Sequence, residues 1–218
     1  MDFQEILTSL KDSNKVKRRK TLEKINSSAF YGEDCININE TGKDLWKNHS
    51  TALISTIYDE SEVNRTQGSE IVCRFIEKEG ISSDCCSIIV PCIANRISED
   101  LVENSEEVRL LYVRIISQII KFQKEEAIFY LNDYINILKI SVMDKSPEVR
   151  ICSCDCVSSL AFETKKKFHM QSGSLVKPLL NSLCFQRFKN RVAALEALGM
   201  IYDLHIFFLI RAEWLKKA

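Results

Sequence analysis

Apolar side chains recur at three- and four-residue spacing along most of the chain, in blocks broken by short polar turns. Val149, Cys152, Cys156 and Leu160 form one such stripe, and Val192, Leu195, Leu198 and Ile201 form another. On a helix these positions share a face, so each block predicts an amphipathic helix with one side to bury. The blocks come in pairs. They place helices at about 2–11 with 14–26, 44–58 with 62–78, 84–99 with 106–121, 127–143 with 147–162, and 172–184 with 188–202.

The pairs repeat. Taking Val16, Val63, Val108, Val149 and Asn190 as equivalent gives spacings of 47, 45, 41 and 41 residues, within the roughly 40–47 residue period of HEAT-type helix pairs. One pair cannot bury its apolar stripe unaided, so neighbouring pairs must stack into a continuous core. The predicted fold class is all-α, an α-solenoid of about five HEAT-type antiparallel helix pairs. It is expected to occupy residues 1–202, followed by an atypical tail at 203–218.

Turn chemistry supports the pairing. Ser13, Ser105 and Ser146 each stand three residues before their valine and are expected to cap the second helix, a contribution of about 1 kcal/mol each. Pro147 follows Ser146 at the first helical position, where its missing N–H costs nothing. Asp12, Asp59 and Asn104 add turn-forming groups four residues before the anchors. Pro91 and Pro178 fall at the same point of repeats three and five and predict a common bend in the first helix. The stretch 26–43, with Ser27, Ser28, Gly32, Asn37, Asn39 and Gly42, reads as a long surface loop. The acidic stretch 99–107 reads as the turn inside repeat three.

Composition narrows the class further. Only six glycines and three prolines among 218 residues favour long helices over a turn-rich β fold. The 30 basic and 30 acidic residues cancel, so no net field draws in phosphate backbones, and nucleic acid is not an expected partner. The N-terminus lacks a basic region followed by an apolar core and does not read as a secretory signal. The longest apolar run, near 204–210, is far short of the roughly 20 residues that span a bilayer. No membrane segment is expected, and the expected location is cytoplasmic. An odd number of cysteines, nine, mostly at helix positions suited to small apolar residues, is expected to stay reduced.

Three clusters invite a chemical reading. Cys152-Ser153-Cys154-Asp155-Cys156 suggests a metal or redox site, but on a helix Cys154 points about 200° away from Cys152, and no second ligand pair completes a zinc set. Core packing is the favoured reading there and at Cys85-Cys86. The basic run Lys15-Val16-Lys17-Arg18-Arg19-Lys20 reads as the solvated side of a helix whose apolar side is Val16 and Leu22. Lys165, Lys166 and Lys167 are placed in an inter-repeat loop. His49, His169 and His205 are the only histidines, none followed by Glu, and no phosphate loop or nucleophile elbow is present. An enzyme is not expected; no cofactor, metal or catalytic residue is assigned.

Cys152-Ser153-Cys154-Asp155-Cys156, Phe168-His169-Met170-Gln171-Ser172, Ser174-Leu175-Val176-Lys177-Pro178-Leu179 and Arg191-Val192-Ala193-Ala194-Leu195-Glu196-Ala197-Leu198-Gly199 together closely resemble the N-terminal region of the HEAT-repeat dynein axonemal assembly factors. The resemblance is most specific at the Phe-His-Met-Gln-Ser segment, read as a loop. It implies a non-enzymatic cytoplasmic scaffold for preassembly of dynein arms before they enter motile cilia. The implied partners are axonemal dynein chains, chaperones or other assembly factors. That family continues through many more repeats, whereas the similarity fades after about Ile201, so a truncated product is expected. Its last stripe, without a polar cap, is expected to be covered by the apolar run 206–210 folding back or to leave a fragment that is marginally stable, aggregates or oligomerises through that end.

The residues alone also admit a general HEAT-repeat adaptor of the nuclear-transport or phosphatase-scaffold type, and, less well, a HEAT-like DNA glycosylase, which would need a basic concave face. The candidate protein-binding surface is the polar side of the second helices, at Arg109, Arg114, Glu148, Arg150 and Arg191. For the anchor arginines a role in bridging adjacent turns is favoured over direct partner contact.

Overall fold

A computed structural model of the protein describes residues 3–31, 37–98 and 103–202. Its helices run in the order α1 (Phe3–Leu10), α2 (Lys15–Ala29), α3 (Glu40–Ile54), α4 (Glu62–Glu79), α5 (Ser83–Arg96), α6 (Glu106–Gln123), α7 (Leu131–Ser141), α8 (Pro147–Gln171), α9 (Gly173–Ser182) and α10 (Phe188–Ile201). They fall into two compact units, Met1–Ile89 and Val90–Ala218, with the border inside α5. The predicted tail at 203–218 and Cys35 lie outside the described residues, as do 99–102 of the predicted acidic turn.

In the first unit the second helices α2 and α4 pack together, with α3 against both. Leu22, Ile25, Leu45, Leu53, Ile54, Ile57, Val72 and Phe75 are all buried between them; each such side chain contributes about 1.5–3 kcal/mol by leaving water. Trp46 stacks on Phe75 at 5.1 Å, and Phe30 meets the same ring at 4.8 Å. The Trp46 indole N–H donates to the Gly80 carbonyl at 2.9 Å. Gly80 ends α4 at φ 75°, a conformation that a Cβ would oppose, and so turns the chain towards α5.

In the second unit α6, α8 and α10 stack in sequence order, while α7 packs on α8 and α9. Val108, Tyr112, Ile115, Ile116, Ile119 and Ile120 bury one side of α6, and Val149, Cys156, Val157 and Leu160 one side of α8. Fully buried Tyr134 keeps its hydroxyl satisfied by donating to Gln123 Oε1 at 2.7 Å.

The predicted pairs match these helices closely, with four corrections. The described residues of 26–43 are not one long loop: α2 continues to Ala29, Phe30–Tyr31 (β1) pairs antiparallel with Asn37–Ile38 (β2), and α3 begins at Glu40. Asn39 drives this return, because its side-chain N–H donates to the Ser28 carbonyl at 2.6 Å while its oxygen caps the Gly42 N–H at 2.8 Å. Two first helices are not uniform α-helix. Three-ten turns occupy Ser55–Tyr58 and Lys124–Tyr130, and α3 is broken at His49 (φ −137°). Finally, α8 runs to Gln171 and not to 162, since neither Gly nor Pro interrupts it between Pro147 and Gly173. Lys165, Lys166, Lys167 and most of the Phe-His-Met-Gln-Ser segment therefore lie on a helix. Pro91 and Pro178 do sit inside α5 and α9.

Candidate functional site

The turns between paired helices share one construction, and it is not serine capping. Ser105 and Ser146 occupy the N-cap positions of α6 and α8, as Ser61 does for α4, yet none makes a side-chain cap bond. The cap of α2 is Asn14, not Ser13, and its oxygen accepts from the Val16 N–H at 2.9 Å. A carboxylate two residues earlier does the recurring work. Asp12, Asp59, Glu103 and Asp144 accept from the N–H of Asn14, Ser61, Ser105 and Ser146 at 2.8, 2.8, 3.1 and 2.8 Å. In the third repeat the acid is therefore Glu103, not Asn104.

An arginine six residues after the acid clasps the same turn. Arg18 Nη1 donates to the carbonyls of Asp12 and Ser13, Arg65 to those of Asp59 and Glu60, and Arg109 to those of Glu103 and Asn104. Arg191 does the same to Phe185 and Gln186. Arg150 reaches its turn differently, through Nε to the Asp144 carbonyl and Nη2 to the Met143 carbonyl.

The five arginines are spaced by 47, 44, 41 and 41 residues, which gives the true register of the repeat. In that frame Val108 and Val149 precede their arginine and are fully buried, whereas Val16 and Val63 stand one residue too early and are 52% and 46% exposed. The apolar side of α2 is accordingly Leu22, Ile25 and Ala29, without Val16. The buried side of α10 is likewise rotated towards Ala193, Ala194 and Ala197, leaving Val192 and Leu195 half-buried.

Several arginines also tie one repeat to the next. Arg18 Nε and Nη2 grip Asp59 at 2.5 and 2.8 Å, and Arg109 grips Asp144 at 2.7 and 2.9 Å. Asp144, by hydrogen bonding first, holds the Arg109 guanidinium further above its ordinary value. Phe185 stands where repeat five would carry its acid. There Arg150 lies 4.2 Å over the Phe185 ring and donates to Ser182 Oγ at 3.1 Å. Lacking a carboxylate at this link, it is pulled down from its ordinary value by burial. Two buried asparagines add links of one type: Asn64 donates to the Lys15 carbonyl and Asn190 to the Pro147 carbonyl, at 3.1 and 2.7 Å.

This geometry sorts the five surface candidates. Arg109 is not at the surface: it is 5% exposed and committed to Asp144 and its own turn. Arg150 and Arg191 are half-buried in their turns. Arg114 and Glu148 are exposed, Glu148 pairing with Arg187 at 3.1 Å. Five residues after each arginine of the second unit stand Arg114, Asp155 and Glu196, all exposed. Partial desolvation at its helix surface, followed by the nearby Glu196 charge, raises the Asp155 carboxyl above its ordinary value against the pull of Lys121. Phe162, also on α8, is 64% exposed. Asp155 and Glu196 were legible as the 41-residue counterparts of Arg114; nothing in the local pattern marked Phe162 as exposed.

Cys85, Cys86, Cys154 and Cys156 serve the core. Cys156 is fully buried and donates to the Val113 carbonyl on α6 at 3.6 Å. Cys154 does point away from that side, but the opposite side of α8 is also covered: it is 1% exposed and burial pushes its thiol up to about 12. Cys152 is half-buried. The neighbouring Cys156 side chain, followed by Arg114 and Lys121, outweighs burial and lowers its pKa. Cys85 and Cys86 are buried, and burial pushes Cys86 up to about 12. Among the described residues no group of three or more His, Cys, Asp or Glu is placed to hold a metal ion, and no helix is long and apolar enough to cross a membrane. The basic run divides between roles: Lys17 pairs with Asp12, Arg18 is absorbed in the turn and Arg19 pairs with Glu23. An open depression of about 550 Å³ beside it is lined by Gln4, Leu7, Thr8, Lys11, Asp12 and Ser13.

The family described as "Dynein axonemal assembly factor 5-like, TPR repeats" matches residues 9–204. Dynein axonemal assembly factor 5 of Xenopus laevis is 28% identical over 196 residues, covering 89% of this chain and 23% of the relative. The Homo sapiens protein of that name is 29% identical over 154 residues, covering 68% of this chain and 18% of the relative. The chain thus spans about a quarter or less of the relatives it matches. Among solved structures, a designed armadillo repeat protein in complex with the peptide (KR)4 superposes with a TM-score of 0.66 at 16% identity, over 92% of this chain and 82% of that one. Armadillo repeat proteins computationally designed for modular peptide recognition superpose with a TM-score of 0.67 at 14% identity, over 91% of this chain and 82% of that one. The fold class is an all-α solenoid of armadillo/HEAT-type helix pairs. The 41-residue spacing of the last three arginines also exceeds the 34 residues of a tetratricopeptide unit.

Proposed function

The chain belongs to the dynein axonemal assembly factor 5-like family, and on that premise we propose that it acts as a non-enzymatic cytoplasmic scaffold in the preassembly of axonemal dynein arms. The observation that carries this reading is the family match across 9–204, which takes in every described helix from α2 to α10. The turn chemistry agrees with it. Buried arginines, asparagines and carboxylates are used to stack repeats, leaving a polar second-helix side free for protein contact. On that side Arg114 and Glu148, with Asp155, Glu196 and Phe162 between and beside them, are the proposed contact residues. Dynein chains, or the chaperones and assembly factors that accompany them, are the proposed partners.

Two measurements test the proposal. Affinity purification of the tagged full chain from ciliating cells should recover dynein chains, and recovery should fall for Arg114→Glu combined with Glu148→Lys at unchanged thermal midpoint. Depletion should leave axonemes without dynein arms in electron micrographs. Normal arms after depletion, or purification dominated by transport or phosphatase subunits without dynein chains, would overturn it.

A further inference from the structure

Arg114 and Lys121 stand seven residues apart on α6, in the interior of the second unit, and both are exposed. At about 1.5 Å per residue they lie about 10.5 Å apart along the helix and within about 20° of one another around it. The same spacing occurs on α2, where Lys17 and Lys24 are each met by a carboxylate of the chain, Asp12 at 2.7 Å and Glu5 at 3.9 Å. Among the described residues neither α6 cation has such a partner. The Lys121 charge reaches Asp155 across the α6–α8 seam without closing a pair.

Apolar surface lies on the same face. Phe162 is the 41-residue counterpart of Lys121, as Asp155 is of Arg114, so with α6 packed on α8 these four positions form two neighbouring rows. Phe162 is 64% exposed, and Phe122, next to Lys121, is 53% exposed. Exposed ion pairs hold a partner weakly by themselves, and rings this open supply the contact area that such pairs lack.

We propose that the α6–α8 face is a docking surface for an amphipathic helix of a partner protein, one that carries carboxylates at i and i+7 and apolar side chains at i+3 and i+4 to cover Phe162. Charge complementarity selects the acids, and spacing selects the helix. Two carboxylates seven residues apart on an α-helix repeat both the rise and the small angular offset of Arg114 and Lys121. A strand does not, since its same-side residues stand about 6.8 or 13.6 Å apart. Asp155, exposed in the same patch, rejects a helix that is acidic all round. On the scaffold reading, on which this rests, the helix belongs to one of the proteins held during preassembly.

The probe is a dye-labelled, alanine-based peptide of about 20 residues, long enough to be helical in water, with Glu at i and i+7 and Leu at i+3 and i+4. Fluorescence anisotropy with the full chain at low salt should show saturable binding. Arg114→Glu with Lys121→Glu should weaken it about tenfold or more, and a probe with Lys in place of both Glu should bind that double variant and not the unaltered chain. The exchanged preference also shows that the double variant is folded. Phe162→Ala should weaken binding without changing which probe is preferred. No saturable binding, binding indifferent to the double reversal, or equal binding of a probe with its Glu residues at i and i+5 would overturn the proposal. In affinity purification from ciliating cells, dynein chains recovered as well by the double variant as by the unaltered chain would overturn it and leave the scaffold reading standing. Charge-selective probe binding with no dynein chains recovered by the unaltered chain would do the reverse. Self-association of the unaltered chain that the double reversal abolishes would overturn the choice of a partner protein, since α4 carries Glu70 and Glu77 seven residues apart.

Discussion

Removing the Arg109 side chain isolates the energetics of repeat stacking better than any other single change. Arg109 is 5% exposed and makes two bonds to Asp144 and two to turn carbonyls, while Asp144 also accepts the Ser146 N–H. Arg109→Ala leaves a buried carboxylate without its cation and two carbonyls without a donor. Breaking a buried pair from one side costs about 3–5 kcal/mol. For a chain of 218 residues, at about 2–4 °C per kcal/mol, the thermal midpoint should fall by about 6–20 °C. Replacing both partners removes the unpaired charge, so Arg109→Met with Asp144→Leu should recover most of the loss and leave a deficit of about 1–2 kcal/mol for the unmet carbonyls. Arg19→Ala is the control. Its pair with Glu23 is about half exposed on both sides and should cost under about 0.5 kcal/mol. Urea melts followed by far-ultraviolet circular dichroism measure all four chains. A loss below about 1 kcal/mol for Arg109→Ala, or a double variant no better than the single, would refute the argument that an unpaired buried charge dominates.

Asp59 gives a pH signature. Burial pulls its carboxyl upward, but Arg18, the Ser61 N–H and Asn64 together hold it below 3.8. A depressed folded value adds stability above the unfolded pKa and loses it as pH falls through the folded one. The stability gap between the unaltered chain and Asp59→Asn should therefore be full at pH 7 and shrink below about pH 3.8 in acid melts. Gly68 lies inside α4, where alanine would ordinarily be favoured by about 1 kcal/mol. Here an added Cβ would sit 2.2 Å from Thr56 Oγ1 and 2.8 Å from Thr56 Cβ, so Gly68→Ala should destabilise by about 1–3 kcal/mol. Gly173→Ala, with nothing within 4 Å, should be neutral or stabilising in the same urea melts. Iodoacetamide at neutral pH, read by peptide mass spectrometry, should label exposed Cys184 first and Cys152 next. Cys86, Cys154 and Cys156 should stay protected until the chain unfolds.

Helix pairing was legible because stacking forces apolar stripes at helical spacing, and because their recurrence at a period of 41 to 47 residues singles out stacked pairs. The register was harder to read. Val16 and Val63 look like the buried valines of later repeats, yet the buried positions there are held by Lys17, whose side chain turns out to Asp12, and by Asn64, which pays for its burial with a bond to Lys15. A polar residue satisfied by a distant carbonyl leaves no mark in a hydropathy pattern. The arginine, six residues after the turn acid, would have fixed the frame, but its clasp depends on backbone carbonyls that any sequence possesses. Ser105 and Ser146 were misleading for a related reason: the carboxylate two residues before each takes the cap N–H, and the hydroxyl is left outside the cap. The length of α8 followed from the absence of breakers, which outweighed the apparent loop character of Lys165 to Lys167.

The division of labour within each repeat bears on where specificity can reside. The clasping arginine recurs in all five repeats, at 18, 65, 109, 150 and 191, and faces turn carbonyls that are chemically alike. A position that is the same in every repeat cannot tell a partner which repeat it has met. Five residues further along each second helix the identity varies: Glu23, Glu70, Arg114, Asp155, Glu196. These side chains are exposed or half-buried and contribute little to stacking, so they are free to differ. Arg114, alone in sign among them, marks one repeat, and Asp155 and Glu196 in the same unit would reject a partner whose charges were displaced by one repeat. On the proposed reading, stacking chemistry and recognition chemistry sit on the same helices about a turn and a half apart, so that the contact positions can change from repeat to repeat while the stacking positions do not.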